Sequence, residues 1–164
     1  LPIAPNWLDK KYHKEFEKSL NYFSHDINLI IFFFGNNLNI DSSSITKNSL
    51  NISFVNSKLH GVFQGNYIKQ NMWDEGLNIF FEKGMFKIRL APAFLRNQPA
   101  TFEIISGENN IVKKSPIPEW SWSFKLQAED FIKSIRKKQV SINNGEDTLN
   151  DVKIIEAIWK KFLN

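Results

Sequence analysis

The sequence Leu77-Asn-Ile-Phe-Phe-Glu-Lys-Gly-Met-Phe-Lys-Ile-Arg-Leu90 predicts a β-hairpin, and with it the type of sheet in this protein. β-like runs lie on both sides of the polar link at 82–84, and Phe86, Ile88 and Leu90 alternate with polar residues, which is typical of a strand with one buried face. So short a link can join only antiparallel neighbours. Residues 56–58 form a second link of this kind, and a third hairpin is expected around 107–110. The middle of the chain is therefore predicted to be an antiparallel sheet.

Short β-like runs separated by Asn- and Ser-rich connectors extend this sheet. They lie at 44–46, 50–55, 59–64, 77–82, 85–90 and 101–106. Alternation in Leu50, Ile52 and Phe54 gives one face a continuous apolar coat, which other elements must cover.

Helices are predicted at both ends of the chain. Residues 7–34 contain no glycine or proline, and their apolar residues recur at three- and four-residue steps before Gly35, a suitable C-cap. We expect two helical segments there, with a bend near 19–24. Two further apolar stripes follow, and the turn at 144–147 offers Asp147 as the N-cap of the last helix. The stripes consist of Phe124, Ala128, Phe131, Ile132 and Ile135, and of Leu149, Val152, Ile155, Ile158, Trp159 and Phe162.

The predicted fold class is therefore α+β: a mainly antiparallel, open-faced sheet with an N-terminal helical segment and two C-terminal helices packed on one face. With 164 residues, the chain is expected to form a single domain. It begins at Leu1-Pro2 rather than at methionine, which we interpret as a cut or processed end.

The amino-acid composition bears on the compartment of the protein and argues against nucleic-acid-binding and membrane-spanning classes. The chain has no cysteine, which suits a reducing compartment, and we expect a cytoplasmic protein. The net charge of +4 comes from lysines that are scattered or alternate with acids, so a nucleic-acid partner is not expected, although a basic nucleic-acid module remains a weaker alternative. The apolar run at 27–34 is too short to span a membrane.

Chemical motifs are scarce. The sequence contains neither a G-x-G-x-x-G loop, nor a phosphate loop, nor an H-E-x-x-H or G-x-S-x-G motif. The histidines His13, His25 and His60 lack the spacing of metal ligands, so no metal is expected. Residues 119–124, Glu-Trp-Ser-Trp-Ser-Phe, could stack sugar rings or simply anchor a helix.

His25 is the candidate for chemistry. Together with Asn21 and Asn28 it forms a polar stripe, at i, i+4 and i+7, along an otherwise apolar helix. A hydrogen-bonded structural histidine is the alternative, because buried polar groups commonly serve stability.

Two stretches together resemble the Gfo/Idh/MocA family of oxidoreductases, named for glucose-fructose oxidoreductase and inositol dehydrogenase. Residues 21–35 are similar to its helix pattern D-x-x-x-H-x-x-D followed by an apolar run and glycine. Residues 120–158, with Gly145-Glu146-Asp147 and Ile155-Glu156-Ala157-Ile158, are similar to its C-terminal pattern F…A-I-R…G-E-D…D…I-E-A-I. The resemblance covers essentially the whole chain.

The resemblance implies that this chain is the C-terminal substrate and oligomerisation domain of an NAD- or NADP-dependent dehydrogenase of a sugar, cyclitol or sugar derivative. The cofactor would be held by an N-terminal Rossmann domain absent here, so none is expected in this chain. His25 corresponds to the family's proton-transfer residue, and Asn28, at the motif's later aspartate, would contact substrate hydroxyls together with Asn21. Asn21 replaces the motif's first aspartate, which leaves a non-catalytic sugar-binding or regulatory member as the alternative. A homo-oligomer through the sheet face is also expected.

Overall fold

A computed structural model describes residues 3–57, 59–69 and 72–164. The predicted cut end at Leu1 and Pro2, and Lys58 of the predicted second link, lie outside these residues. The chain divides into two compact units. One comprises the described residues of Leu1–Lys69 together with Asn143–Asn164, and the other comprises those of Gln70–Ile142.

The first unit begins with a 3₁₀ helix, Lys10–Tyr12, followed by helix α1, His13–Phe34. The expected bend near 19–24 is wrong, because α1 continues through these residues. The Ser19 hydroxyl donates to the Glu15 carbonyl one turn earlier (3.0 Å), so this polar side chain is satisfied without a break. The predicted C-cap is confirmed: Gly35 has φ +81°, and its N–H donates to the Ile31 carbonyl at 2.7 Å.

A three-stranded antiparallel sheet follows α1. It consists of β1 (Asn39–Ile45), β2 (Ser49–Asn56) and β3 (Leu59–Asn66), in the order β1-β2-β3. The pair Asn56 and Leu59 closes the predicted hairpin. The predicted alternation in β2 is confirmed, since Leu50, Ile52 and Phe54 are all buried.

Two helices lie in the C-terminal part of the chain, α2 (Ser123–Lys137) in the second unit and α3 (Gly145–Leu163) in the first. Helix α3 completes the core of the first unit. Trp159 is fully buried, packs against Phe16, and donates its indole N–H to the Ser19 hydroxyl (3.2 Å). The predicted N-cap is wrong by three residues. Asn144 is the N-cap, and Asp147 is its partner in a capping box that accepts from the Asn144 N–H.

The second unit contains a four-stranded antiparallel sheet and helix α2, Ser123–Lys137. Its strands pair in chain order: β4 (Glu75–Phe81), β5 (Gly84–Leu90), β6 (Thr101–Ser106) and β7 (Val112–Lys114). The opening hairpin is confirmed, with Phe81 paired to Gly84. The expected third hairpin is confirmed as well, because β6 pairs with β7.

The α+β class is thus confirmed, with an N-terminal helix, two C-terminal helices and antiparallel strands. The single sheet with both C-terminal helices on one face is wrong in detail, because the strands form two sheets and α2 and α3 belong to different units. The two C-terminal helices differ in how they bury their predicted stripes. Ile155, Ile158 and Trp159 of α3 are buried, whereas Phe131 and Ile135 of α2 are each 62% exposed.

Candidate functional site

The outer side of α1 carries the predicted catalytic residue. Its inner side is buried through Phe23, Ile27 and Ile30, so residues half a turn away face solvent. His25 and Asn21 are both exposed there, and neither makes a side-chain hydrogen bond within the described part of the chain. His25 is therefore not the buried, hydrogen-bonded histidine of the alternative interpretation. Its imidazole is free to meet a ligand.

Asn28 lies differently from the other two residues of the stripe. It is half-buried, and its side-chain nitrogen donates to both carboxylate oxygens of Asp151 on α3, at 3.1 and 3.0 Å. The structure therefore separates the three predicted residues into an exposed pair, Asn21 and His25, and a residue whose amide nitrogen is engaged with Asp151. A substrate hydroxyl at Asn28 would have to use the remaining amide oxygen.

Asp151 is a member of this site that reasoning from the residues missed. Only 5% of it is exposed, and within the described residues it forms no ion pair with a lysine or arginine. Burial raises the pKa of this carboxyl above its ordinary value, and the nearby Asp147 adds to the effect. The Asn28 hydrogen bonds and the charge of His25 act in the opposite direction. The signal that could have found Asp151 is the lone D before I-E-A-I in the family pattern.

Tyr22, three residues before His25 on α1, belongs to an aromatic cluster with Phe23 of the same helix and Tyr67, which follows β3. Tyr22 is 62% exposed, and its ring meets that of Tyr67 nearly perpendicularly, with centroids 5.2 Å apart. Tyr67 in turn packs on the buried ring of Phe23 at 5.0 Å. The Tyr67 hydroxyl is enclosed without a hydrogen-bond partner in the described residues, and burial raises its pKa. Tyr67 is thus a packing residue, and Tyr22 is the exposed member of the cluster.

The remaining candidates take other roles. His13 Nε2 lies 3.1 Å from the Leu8 carbonyl, and the described residues contain no cluster of potential metal ligands. Trp122 donates its indole N–H to the Ala93 carbonyl at 3.0 Å and packs edge-on against Phe124, as expected of an anchor. No described helix is long and apolar enough to cross a membrane.

Comparison with known proteins shows in which solved structures this fold occurs. No family model and no curated protein matches the sequence. Among solved structures, yvaA of Bacillus subtilis, assigned as an oxidoreductase, superposes with a TM-score of 0.64 at 15% identity, over 88% of this chain and 50% of its own. The aldose-aldose oxidoreductase of Caulobacter crescentus, solved with glycerol, gives 0.66 at 18% identity, over 85% of this chain and 43% of its own.

The chain has the fold of these oxidoreductases. A Bacteroides fragilis protein assigned to the same class agrees, with a TM-score of 0.64 at 12% identity over 89% of this chain and 51% of its own. At identities of 12–18%, these likenesses show a shared fold. The chain spans about half the length of these structures.

Proposed function

We propose that this chain is the substrate-binding and dimerisation domain of an NAD(P)-dependent oxidoreductase that acts on a sugar, cyclitol or sugar derivative. The observation that carries the proposal is the exposed His25 on α1, in a domain with the fold of oxidoreductases. The aldose-aldose oxidoreductase among them supports a polyhydroxylated substrate.

The residues of this chain do not fit the dinucleotide itself. Dinucleotide pyrophosphates are held where a strand leads through a glycine turn into a helix N-terminus. No helix in the described chain follows a strand in this way, and the first amides of α3 are taken by the Asn144 side chain, which accepts from Glu146 and Asp147. The cofactor would therefore be held by another part of the parent enzyme.

The proposed role of this chain concerns the substrate hydroxyl. A bound nicotinamide would supply or accept the hydride at the carbinol carbon. His25 would take the hydroxyl proton during oxidation and return it during reduction, because a neutral imidazole is a suitable base near neutral pH. Asn21, one turn earlier on the same side, and the Asn28 amide oxygen would orient neighbouring hydroxyls.

The alternative, a non-catalytic sugar-binding or regulatory member of the family, is favoured by one feature. The helix carries Asn21 where the family pattern has aspartate, so the carboxylate that would orient an imidazolium is missing at that position. This alternative retains sugar binding by the same surface but requires no proton transfer.

The test is His25→Ala in the full-length parent. Turnover is expected to fall by about 10² to 10⁴ with unchanged cofactor binding, as for a positioned acid–base residue. Because His25 is exposed, the free energy of unfolding should change by less than about 0.5 kcal/mol. His60→Ala, also at an exposed histidine, is the matched control. Sugar binding without turnover in the wild-type parent would favour the alternative, and normal turnover in His25→Ala would remove His25 from the mechanism.

A second measurement uses this chain alone. Calorimetry with NADH and NADPH is expected to show no binding, because the sequence contains no G-x-G-x-x-G loop. Micromolar binding of either dinucleotide would contradict the proposal that another part of the parent enzyme holds the cofactor.

A further inference from the structure

Tyr22 lies beside His25 on the solvent-facing side of α1. Residues three apart on a helix are surface neighbours, with Cβ atoms about 5–6 Å apart. Tyr22 is 62% exposed although it is aromatic, and His25 is exposed as well. A ligand that reaches the imidazole therefore also meets the tyrosine ring.

The Tyr22 ring is held by its neighbours. Tyr67 meets it at 83°, with the centroids 5.2 Å apart, and Tyr67 is itself packed against Phe23, which is only 6% exposed. Perpendicular aromatic pairs are a favoured geometry and restrict ring rotation. The Tyr22 ring therefore has one packed neighbour before a ligand arrives, which reduces the conformational entropy that it can lose on binding.

The chemistry of this surface suits a saturated ring with hydroxyl groups. The C–H groups of a pyranose or cyclitol form weak contacts with an aromatic face, while its hydroxyls turn to polar groups at the edge. His25 and Asn21 lie next to Tyr22 and are polar and exposed. We propose that Tyr22 is a substrate-binding residue whose ring stacks on the C–H face of the sugar or cyclitol and so aligns a hydroxyl with His25. This inference rests on the proposed function.

The inference is tested by steady-state kinetics of the full-length parent with D-glucose and myo-inositol as probes. Tyr22→Ala is expected to raise KM about three- to tenfold, with a smaller effect on kcat, because stacking acts on bound ground state and transition state alike. Tyr22→Phe keeps the ring and should restore KM. Tyr22→Leu keeps apolar bulk without the ring and should resemble alanine. Phe94→Ala, at an 84% exposed aromatic residue of the other unit, is the control.

Saturation-transfer NMR with the same two probes reports binding if the parent shows no turnover. Binding that is about three- to tenfold weaker in Tyr22→Ala, measured by titration of the signal, and wild-type binding in Tyr22→Phe support the inference even if His25→Ala leaves turnover intact and the proposed mechanism fails. An unchanged KM and an unchanged NMR signal in Tyr22→Ala overturn it even if His25 proves essential. A wild-type protein that binds neither probe also overturns it.

Discussion

The side-chain amide of Asn28 contacts both carboxylate oxygens of Asp151, at 3.1 and 3.0 Å, and so joins α1 to α3 across a sequence separation of 123 residues. The carboxylate is buried and forms no ion pair with a lysine or arginine in the described part of the chain. A buried charge whose hydrogen bonds come from a neutral amide is costly, because such bonds replace only part of its hydration, and the charge of His25 offsets only part of the cost. The contact therefore ties the stability of the first unit to the protonation of Asp151.

Asp151→Asn should change how stability depends on pH. The pKa of Asp151 is raised in the folded state above its ordinary value of 3.8, so the folded protein binds this proton more tightly than the unfolded chain does. The resulting stabilisation is present below the ordinary pKa and is lost as pH rises through the folded pKa. Asparagine mimics the protonated acid, so the variant should gain stability relative to wild type as pH rises.

Urea denaturation of both proteins from about pH 3 to pH 8 measures this difference. Asp74→Asn, at an exposed aspartate, gives the generic effect of removing one negative charge. A difference between wild type and Asp151→Asn that stays constant over this range would contradict the prediction.

Asn21→Asp should shift the pH dependence of turnover in the full-length parent. The added carboxylate lies one turn before His25, where it favours the imidazolium form. In Asn21→Asp, the limb of the pH–rate profile that follows protonation of His25 is expected to move to higher pH. Asn21→Ser should leave this limb in place. An unmoved profile in Asn21→Asp would show that residue 21 does not act on His25.

Gly65→Ala should destabilise the first unit by about 1–3 kcal/mol, as overpacking commonly does. A Cβ at this position on β3 would overlap the Phe23 ring, which is buried and packed against Phe63 and Tyr67. Gly145→Ala is the matched control, since a Cβ there meets nothing within 4 Å and alanine favours the helix. Thermal denaturation of the two variants compares them, and equal melting temperatures would show that Phe23 can move aside.

Self-association is expected through the four-stranded sheet of the second unit. Phe80 and Phe81 on the edge strand β4 are 75% and 62% exposed, although successive residues point to opposite faces. Both faces thus carry exposed aromatic surface. Light scattering at high micromolar concentration should show an oligomer that Phe80→Glu weakens and Ile117→Glu, at a 92% exposed residue outside the strands, does not. A strict monomer, with no effect of Phe80→Glu, would count against this interface.

Periodicity predicted the helices and the strands β2 to β6 of the described residues, because alternation and three- to four-residue spacing are local properties. Its run at 44–46 met only the end of β1, Asn39–Ile45. It missed β7, whose three residues are all exposed and carry no burial pattern. It also placed the N-cap of α3 at Asp147, since a capping box contains two plausible caps three residues apart and composition does not distinguish them.

Less of the candidate site than of the fold could be predicted from the sequence. Spacing placed Asn21, His25 and Asn28 on one side of a helix, but the turn of Asn28 towards Asp151 depends on how α1 and α3 pack, which no local pattern encodes. Tyr22 shows the same limit. An aromatic residue in a helix is ordinarily assigned to the core. Only the structure shows that Tyr22 packs against Tyr67 and nevertheless stays largely exposed.

The first unit is assembled from the two ends of the chain, with the second unit inserted between them. During synthesis the ribosome would release the whole second unit before Trp159, Ile155 and Ile158 emerge to fill the core around Phe16. Until then the apolar sides of α1 and β1, against which α3 packs, would lack this cover and could bind a chaperone. The first unit therefore cannot complete its core until α3 has been synthesised. A truncation that removes only α3 should leave an insoluble product rather than a smaller stable domain.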